Sequence, residues 1–495
     1  MLDSWFGEAV SLVAGAALNL AFAPYRLGLL APLAAAVLYM AWRRAGARSA
    51  ALRGALFGVG LFGVGVPWVA TTLARFGGMP APLAFAGDAL FVAILASYIA
   101  LVGALFAAVR RGNGWDPWLF ASLWVGGEWL RNHLFTGFPW FDLGYAAAWP
   151  PVVQWAPILG VLGLSFAFAL IGALTVEALG GRWRGLWPLA LGLALTPLVG
   201  RAAFVHPTGR VVTASLIQGD VSPYTKWSPR ERQAIIRRYL RLTARSDGRL
   251  VIWPETAVPG YSHTLRRHFL PVIERLARRD HRHFLFGLVE GNPNRPRAPV
   301  YNAVMSVGRH DGMYRKRHLV PFGEYLPCPR LLSPVLAVLH IPMSGFTAWH
   351  GREPALPVRG ARLGLTICYE VAYGRLVTQA LPRATLLVNV SDDSWYGHSE
   401  EAHQQLQIAQ MRAAEAGRDM LVATNDGETA RITHTGRIAQ RLAPFTPGVL
   451  TVAARAYRGL TPYDRWADRP ILGLSAAIVL LVLIDSRRAR RQSAP

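Results

Sequence analysis

Three short segments hold residue types able to do chemistry. Cys368 closes the run Gly364-Leu-Thr-Ile-Cys368, and Tyr369 and Glu370 follow it directly. A β-rich apolar run that ends on a cysteine puts the sulfur at a strand end, where it is held rigidly and can face a cleft. The bland alternative is a small buried hydrophobe, the commoner fate of a lone cysteine. Glu255 sits in Val251-Ile-Trp-Pro-Glu-Thr256. Pro254 cannot donate to a sheet ladder, so the strand ends there and Glu255 lies at its tip. Lys316 lies in Tyr314-Arg-Lys-Arg-His-Leu-Val-Pro-Phe-Gly-Glu-Tyr325. An apolar Leu-Val-Pro-Phe segment follows the basic triplet, so one cation can point inward, with Glu324 placed to neutralise it. On the bland reading Glu255 is a solvated carboxylate and Arg-Lys-Arg a solvated cluster. A thiol with a pKa near 8.5 needs a nearby base or cation before it becomes a useful nucleophile.

The second cysteine, Cys328, is flanked by Pro327 and Pro329. A Cys328–Cys368 disulfide, possible in an oxidising compartment, would remove the nucleophile. The 13 histidines show no His-Glu-x-x-His pattern, and there is no Cys-x-x-Cys, P-loop or Gly-x-Gly-x-x-Gly fingerprint. No metal and no cofactor are expected. Arg-rich stretches such as Arg230–Arg245 come without a nucleic-acid motif, so no nucleic-acid partner is expected either.

The elements that must position these groups fall into two kinds. Of 495 residues, 52% are hydrophobic and only 16% charged, yet Lys plus Arg total 52 against 29 acidic residues, a net +23. Soluble domains carry about 25% charge. Apolar runs at 8–23, 27–42, 52–73, 84–109, 117–131, 156–179, 184–200 and 470–485 are candidate membrane spans. A span needs about 20 apolar residues, so 52–73 and 84–109 qualify easily. The shorter 27–42 and 117–131, the latter with Glu128 and Arg131 at its edge, read as partly interfacial. The clusters Arg43/Arg44/Arg48/Arg53, Arg110/Arg111, Arg182/Arg184 and Arg487/Arg488/Arg490/Arg491 each follow an even-numbered run. The excess of basic residues in cytoplasmic loops then places both termini in the cytoplasm and 201–469 on the far side. Residues 8–23 lack a basic flank and a clear cleavage site, so they read as a retained span.

From 201 to about 455 the pattern changes. Strand-like runs at Val211–Gln218, Leu250–Trp253, Phe284–Leu288, Ala303–Val307, Leu363–Ile367, Thr385–Val390 and Met420–Thr424 alternate with helical stretches at 229–245, 264–279 and 399–417. Ser399 precedes the acidic pair Glu400 and Glu401 as a helix start. Alternating strands and helices give an α/β layered domain. Three parts are expected: a membrane domain over 1–200, a catalytic domain over 201–460, and a final span with a basic tail over 461–495.

Taken in order, these segments resemble the bacterial apolipoprotein N-acyltransferase family, whose outer domain belongs to the nitrilase (carbon–nitrogen hydrolase) superfamily. In the membrane half the resemblance rests on Gly127-Glu-Trp-Leu-Arg131, Thr136-Gly-Phe-Pro-Trp140 and Gly144-Tyr-Ala. In the outer half it rests on Gln218-Gly, Trp253-Pro-Glu-Thr256, His318-Leu-Val-Pro-Phe-Gly-Glu-Tyr325, Ile367-Cys-Tyr-Glu370 and Ser391-Asp-Asp-Ser-Trp-Tyr-Gly397. The resemblance implies a polytopic α-helical membrane domain plus an extracytoplasmic α-β-β-α sandwich. It implies a triad in which Glu255 is the base, Lys316 steadies the oxyanion and Cys368 attacks. Trp227, Glu324, Tyr369 and Glu370 are implied as supporting positions.

The implied reaction is cofactor-free and ping-pong. An acyl group passes from a phospholipid such as phosphatidylethanolamine to Cys368, then to the N-terminal diacylglyceryl-cysteine of an apolipoprotein at the inner membrane. The chain departs from the family pattern at Asp392, Gln405, Val422 and Asp426, where Asn, His, Arg and Thr are usual. A membrane-tethered amidase, an N-acyltransferase with another amine acceptor, and a non-enzymatic membrane protein remain as alternatives.

Overall fold

The computed structural model describes residues 4–295, 297–328, 330, 345–351 and 355–492, with side chains as far as Asp485. The apolar segments 331–341 and 341–346 suggest by composition loops that dip into the membrane interface, and residues 331–344 lie outside those described. The chain divides into two compact units. One comprises residues 1–70, 81–202 and 465–495, the other 71–80 and 203–464.

The first unit is helical: α1 (Ser4–Leu18), α2 (Leu30–Trp42), α3 (Ala47–Gly65), α4 (Trp68–Arg75, which runs into the second unit), α5 (Ala81–Val109), α6 (Asp116–Arg131), α7 (Ala156–Leu179), α8 (Trp187–Arg201) and a C-terminal helix, Arg469–Gln492. Glycines let backbones meet. A Cβ on Gly15 would lie 2.0 Å from the Phe57 carbonyl oxygen, and one on Gly58 2.6 Å from Ala96 Cα. Such contact between small residues is how helices associate in lipid, where apolar burial gives little drive.

Among the described residues, 81–109 and 152–179 are helical, long and apolar enough to cross a membrane. The expected continuous span 52–73 is instead broken into α3 and α4, bent by 55°. Pro67 is the reason: it offers no N–H and drives the residue before it out of the helical region, leaving Val66 at φ −122°, ψ 30°. Glu128 and Arg131, expected at a span edge, are buried. Glu128 accepts from Leu143 N and Trp124 Nε1, each at 2.7 Å, and Arg131 pairs with Asp142 at 2.5 Å.

The second unit holds two six-stranded sheets. The first runs in the order β12-β1-β2-β3-β4-β5 and the second β11-β10-β9-β8-β7-β6. The strands are β1 (Val205–Gln218), β2 (Leu250–Ile252), β3 (His283–Glu290), β4 (Tyr301–Val307), β5 (Gly312–Arg315), β6 (Leu356–Val358), β7 (Ala361–Ile367), β8 (Leu386–Ser391), β9 (Met420–Thr424), β10 (Ala430–Ile432), β11 (Ile438–Arg441) and β12 (Gly448–Gly459). In each sheet three strands are parallel, β1-β2-β3 and β7-β8-β9, and the outer ones are antiparallel.

Ile235 and Tyr239 from Arg232–Ala244, Leu265 from Ser262–His268 and Ile273 from Leu270–Arg279 pack into one core with Val251, Trp253, Phe284 and Phe286 of the first sheet. The helix Glu401–Ala416 lies against the second sheet at β9. The single helix expected over 264–279 is two, because Pro271 opens a new one. Ser399 stands one residue before the N-cap Glu400, and its Oγ accepts from Glu401 N at 3.4 Å.

Candidate active site

Short parallel strands end together, so the turns that leave them converge at the carboxyl edge of the sheet, the usual place for a site in such folds. Cys368 follows β7, Glu255 lies three residues past β2, and Asp392 and Asp393 follow β8. Lys316 arrives from the antiparallel side, one residue past β5. Four non-glycine residues in these turns have positive φ: Asp220 (49°), Thr256 (46°), Phe322 (62°) and Cys368 (52°). Left-handed backbone at such residues costs about 1–3 kcal/mol each and persists where the surroundings enforce it. At Cys368 it turns the chain sharply out of β7, lifting the sulfur from the pleat.

Glu255, Lys316 and Cys368 come together and are 6%, 1% and 5% exposed. Lys316 Nζ lies 3.3 Å from Glu255 Oε1 and 2.9 Å from Glu324 Oε1. Asn302, absent from the sequence reading, donates Nδ2 to Glu255 Oε1 at 2.6 Å and to Glu324 Oε1 at 2.8 Å. Glu324 Oε2 accepts from Val320 N at 2.8 Å, which locks the Pro-Phe-Gly-Glu turn. Cys368 lies close enough to Glu255 and Lys316 for both charges to act on its thiol.

The electrostatics follow from burial. Burial works against the Lys316 ammonium, but Glu255 and Glu324 outweigh it and hold its pKa well above the usual lysine value. Burial pushes the Glu255 carboxyl up, and Lys316 pulls it partly back. Burial and then the Glu255 charge push the Cys368 thiol well up, more than Lys316 lowers it. The resting sulfur is therefore a neutral thiol beside a charged ammonium and a carboxylate of raised basicity.

Glu370, fully buried, ties two of these segments together. Its Oε1 accepts from Arg317 N (2.6 Å) and His318 N (3.1 Å), and its Oε2 from Ile367 N (2.8 Å) and Tyr314 Oη (2.8 Å). It thus fixes the Lys316 loop to the Cys368 turn. Tyr369 is buried, and its Oη accepts from Tyr373 Oη at 3.1 Å. Trp227 is 43% exposed at the end of the Pro223–Lys226 turn, and no hydrogen bond among the described residues joins it to the three. Both cysteines are free, Cys328 exposed and Cys368 buried, so the disulfide weighed from the sequence is not formed.

The departures from the family pattern are placed as well. Gln405 donates Nε2 to Ser391 Oγ (2.9 Å) and Asp393 Oδ1 (3.2 Å). Burial brings Asp393 to a pKa of about 7 and Asp426 to about 9, so near neutral pH Asp393 is divided between its two forms and Asp426 is largely protonated. Val422 is a buried β9 residue paired with Asn389 and Ala430. Asp392 N donates to Glu255 Oε2 at 3.0 Å, and its carboxylate pairs with the buried Lys226.

Lys226 was the other residue missed in the sequence, and a signal was there. Lysine occurs only twice among the 52 basic residues, at 226 and 316, and both ammonium groups hydrogen-bond to Glu255.

The turn carrying Glu255 rests on β3. A Cβ at Gly287 would lie 2.2 Å from Thr256 N and 2.6 Å from the Pro254 carbonyl oxygen, and Gly287 N donates to that same oxygen at 3.1 Å. Gly287→Ala is expected to displace Glu255 and lower the rate of Cys368 acylation by about 10²-fold, as a shift near 1 Å does elsewhere. A single-turnover rate within twofold of the parent would count against the close approach.

The chain is similar to known proteins over nearly its whole length. A family model described as the apolipoprotein N-acyltransferase N-terminal domain matches residues 14–174, and one described as carbon–nitrogen hydrolase matches 213–463. A protein of Methylococcus capsulatus named apolipoprotein N-acyltransferase is 39% identical over 97% of this chain and 96% of its own. One of the same name from Nitrosomonas europaea is 36% identical over 99% of this chain and 100% of its own. Among solved structures, a carbon–nitrogen hydrolase superfamily protein of Xanthomonas campestris aligns with 50% of this chain and 91% of its own at 18% identity and a TM-score of 0.36. A Nesterenkonia amidase aligns with 53% and 95% at the same identity and TM-score.

Proposed function

The chain belongs to the apolipoprotein N-acyltransferase family, and from that premise we propose that it acylates the N-terminal diacylglyceryl-cysteine of apolipoproteins through a Cys368 thioester. The observation that carries this is the Lys316 ammonium held between the buried Glu255 carboxylate and the partly buried Glu324 carboxylate beside a neutral thiol.

In the first half-reaction Glu255 takes the thiol proton while Cys368 Sγ attacks the ester carbonyl of a phospholipid, phosphatidylethanolamine being the expected donor. Lys316 and the Tyr369 N–H receive the charge that develops on the carbonyl oxygen. Glu255 returns its proton to the departing glyceryl oxygen, releasing a lysophospholipid. In the second half-reaction the acceptor's α-amine attacks the thioester, Glu255 accepts its proton, and the thiol is restored. No cofactor enters either step.

A lipid donor and a lipid acceptor also account for the helical unit. Its helices leave large apolar side chains exposed, among them Phe85 (67%), Leu90 (63%) and Leu193 (77%), as suits a surface that meets hydrocarbon. Drawing an acyl chain into water would cost about 0.8 kcal/mol per methylene, and a site at headgroup level avoids it. The reading includes a bacterial inner-membrane location, both termini cytoplasmic, a membrane part over 1–200, a periplasmic catalytic part over 201–460, and a last span with a basic tail over 461–495. Trp227 and Tyr369 are assigned to substrate contact.

The test is mass spectrometry of the full chain after incubation with phosphatidylethanolamine vesicles. The peptide containing Cys368 is expected to gain one fatty acyl mass and to lose it when a diacylglyceryl peptide is added. No adduct, or an adduct on Cys328, would overturn the assignment. Lysophospholipid release indifferent to the peptide would mark a hydrolase instead.

A further inference from the structure

We propose that the buried Lys226–Asp392 ion pair is a positioning device for Glu255, holding its main chain and carboxylate at once and keeping the charge behind it balanced. This rests on the reading of Glu255 as the base at Cys368. Lys226 and Asp392 are 1% and 2% exposed. Lys226 Nζ donates to the Glu255 carbonyl oxygen at 3.2 Å and pairs with Asp392 Oδ2. Asp392 N donates to Glu255 Oε2 at 3.0 Å. The three residues close a ring: one partner fixes where Glu255 leaves its strand, the other fixes which way its carboxylate faces.

The ring is itself anchored. Asp392 Oδ1 accepts from Asn425 Nδ2 at 3.0 Å and from Ser394 Oγ at 2.7 Å, and Asn425 is held by Val221 N and O and by Tyr239 Oη. A buried ion pair is costly to form and is weak evidence for stability. Here it meets the residue whose geometry matters most, in a chain that uses lysine only twice and both times on this residue, Lys226 at its carbonyl oxygen and Lys316 at its carboxylate. Lys316 holds Glu255 at its Oε1, and Lys226 holds it at its carbonyl oxygen.

The charges facing Glu255 are Lys316 and Glu324 from beyond β5, Cys368 from beyond β7, Asp392, Asp393 and Tyr396 from beyond β8, and Lys226. Breaking the pair from either side should therefore move the protonation of Glu255 in opposite directions. In Asp392→Asn the uncompensated ammonium favours the carboxylate. The acid limb of Cys368 reactivity then moves down by about one pH unit. In Lys226→Met the uncompensated Asp392 disfavours the carboxylate and the limb moves up by a similar amount. In the double variant the limb returns to its parent position. Its plateau rate stays about tenfold low, because the tie to the Glu255 carbonyl is gone.

The experiment measures the pH dependence of Cys368 alkylation by iodoacetamide in the full-length protein, read by mass spectrometry of the Cys368 peptide. Thermal unfolding of each variant is recorded alongside. Opposed shifts that cancel in the double variant support the device. Limbs that stay put, or move the same way in both single variants, overturn it, whatever happens to thermal stability. The double variant buries no unpaired charge, so if the single variants do not fold it serves alone. A parent-like plateau rate in it would overturn the proposal. Alkylation needs no lipid, so this answer is independent of whether the parent protein forms an acyl adduct with phospholipid.

Discussion

Cys368→Ala is expected to abolish acyl transfer, with single-turnover release of lysophospholipid falling to the rate without enzyme, while the protein still folds. The side chain is small and 5% exposed, and its removal leaves no charge unpaired. Among the described residues the Lys316–Glu255–Glu324 cluster is closed by its own contacts, with no hydrogen bond to the sulfur. Alanine takes up the left-handed φ of 52° no less readily than cysteine, so the turn is kept. Every later step needs the thioester, and covalent catalysis has no fallback when its nucleophile is absent. Cys328→Ser, at an exposed site, is the matched control and should keep the parent rate. Acylation surviving in Cys368→Ala and vanishing in Cys328→Ser would reverse the assignment.

The second large effect is expected at Lys316. Lys316→Met keeps much of the volume and removes the only ammonium between Glu255 and Glu324. Two consequences add. An oxyanion donor is lost, which elsewhere costs about 10²–10³ in rate. The Glu324 carboxylate then faces the buried Glu255 carboxylate with no cation between them, which disfavours the charge on Glu255.

The direction of the change at Glu255 is set by its neighbours. Its carboxyl already sits high because of burial, and Lys316 is what lowers it. Without that cation its pKa rises further, so the acid limb of the rate moves to higher pH. Together a loss of about 10³-fold at neutral pH is expected, partly recovered at alkaline pH where Glu255 ionises again. Breaking one side of a buried pair also costs about 3–5 kcal/mol of stability, so thermal unfolding is measured in parallel. A loss under tenfold with no displaced limb would place Lys316 outside the reaction.

Where strands are short, apolar and followed by a breaker, the chain could be read directly. Pro254 ends β2, so Glu255 at a strand tip is local chemistry, and Cys368 is legible from the apolar run of β7 that stops just before it. The edge strands were not legible in the same way. β5, β6, β10 and β11 are three or four residues long, and β12 alternates outward-facing residues such as Arg455 with buried ones such as Ala454. Their identity comes from pairing with distant partners, as when β12 takes its register along β1. Asn302 belongs to this class, since nothing beside it in sequence says that β4 will deliver it between two glutamates.

What the sequence determined by itself was the inventory: two kinds of chain, apolar runs with arginines between them and alternating strands and helices, and three candidate side chains, Glu255 after a proline stop, Cys368 at the end of an apolar run and Lys316 before one. Those are short-range properties, set by the period of apolar residues and by proline's missing donor. What only the tertiary structure decided was which charges face one another. A buried cation's partner is chosen by sheet order and not by neighbours in the chain, so Lys226, 29 residues from Glu255 and 166 from Asp392, became visible as its support only once β2 and β8 had brought those two together.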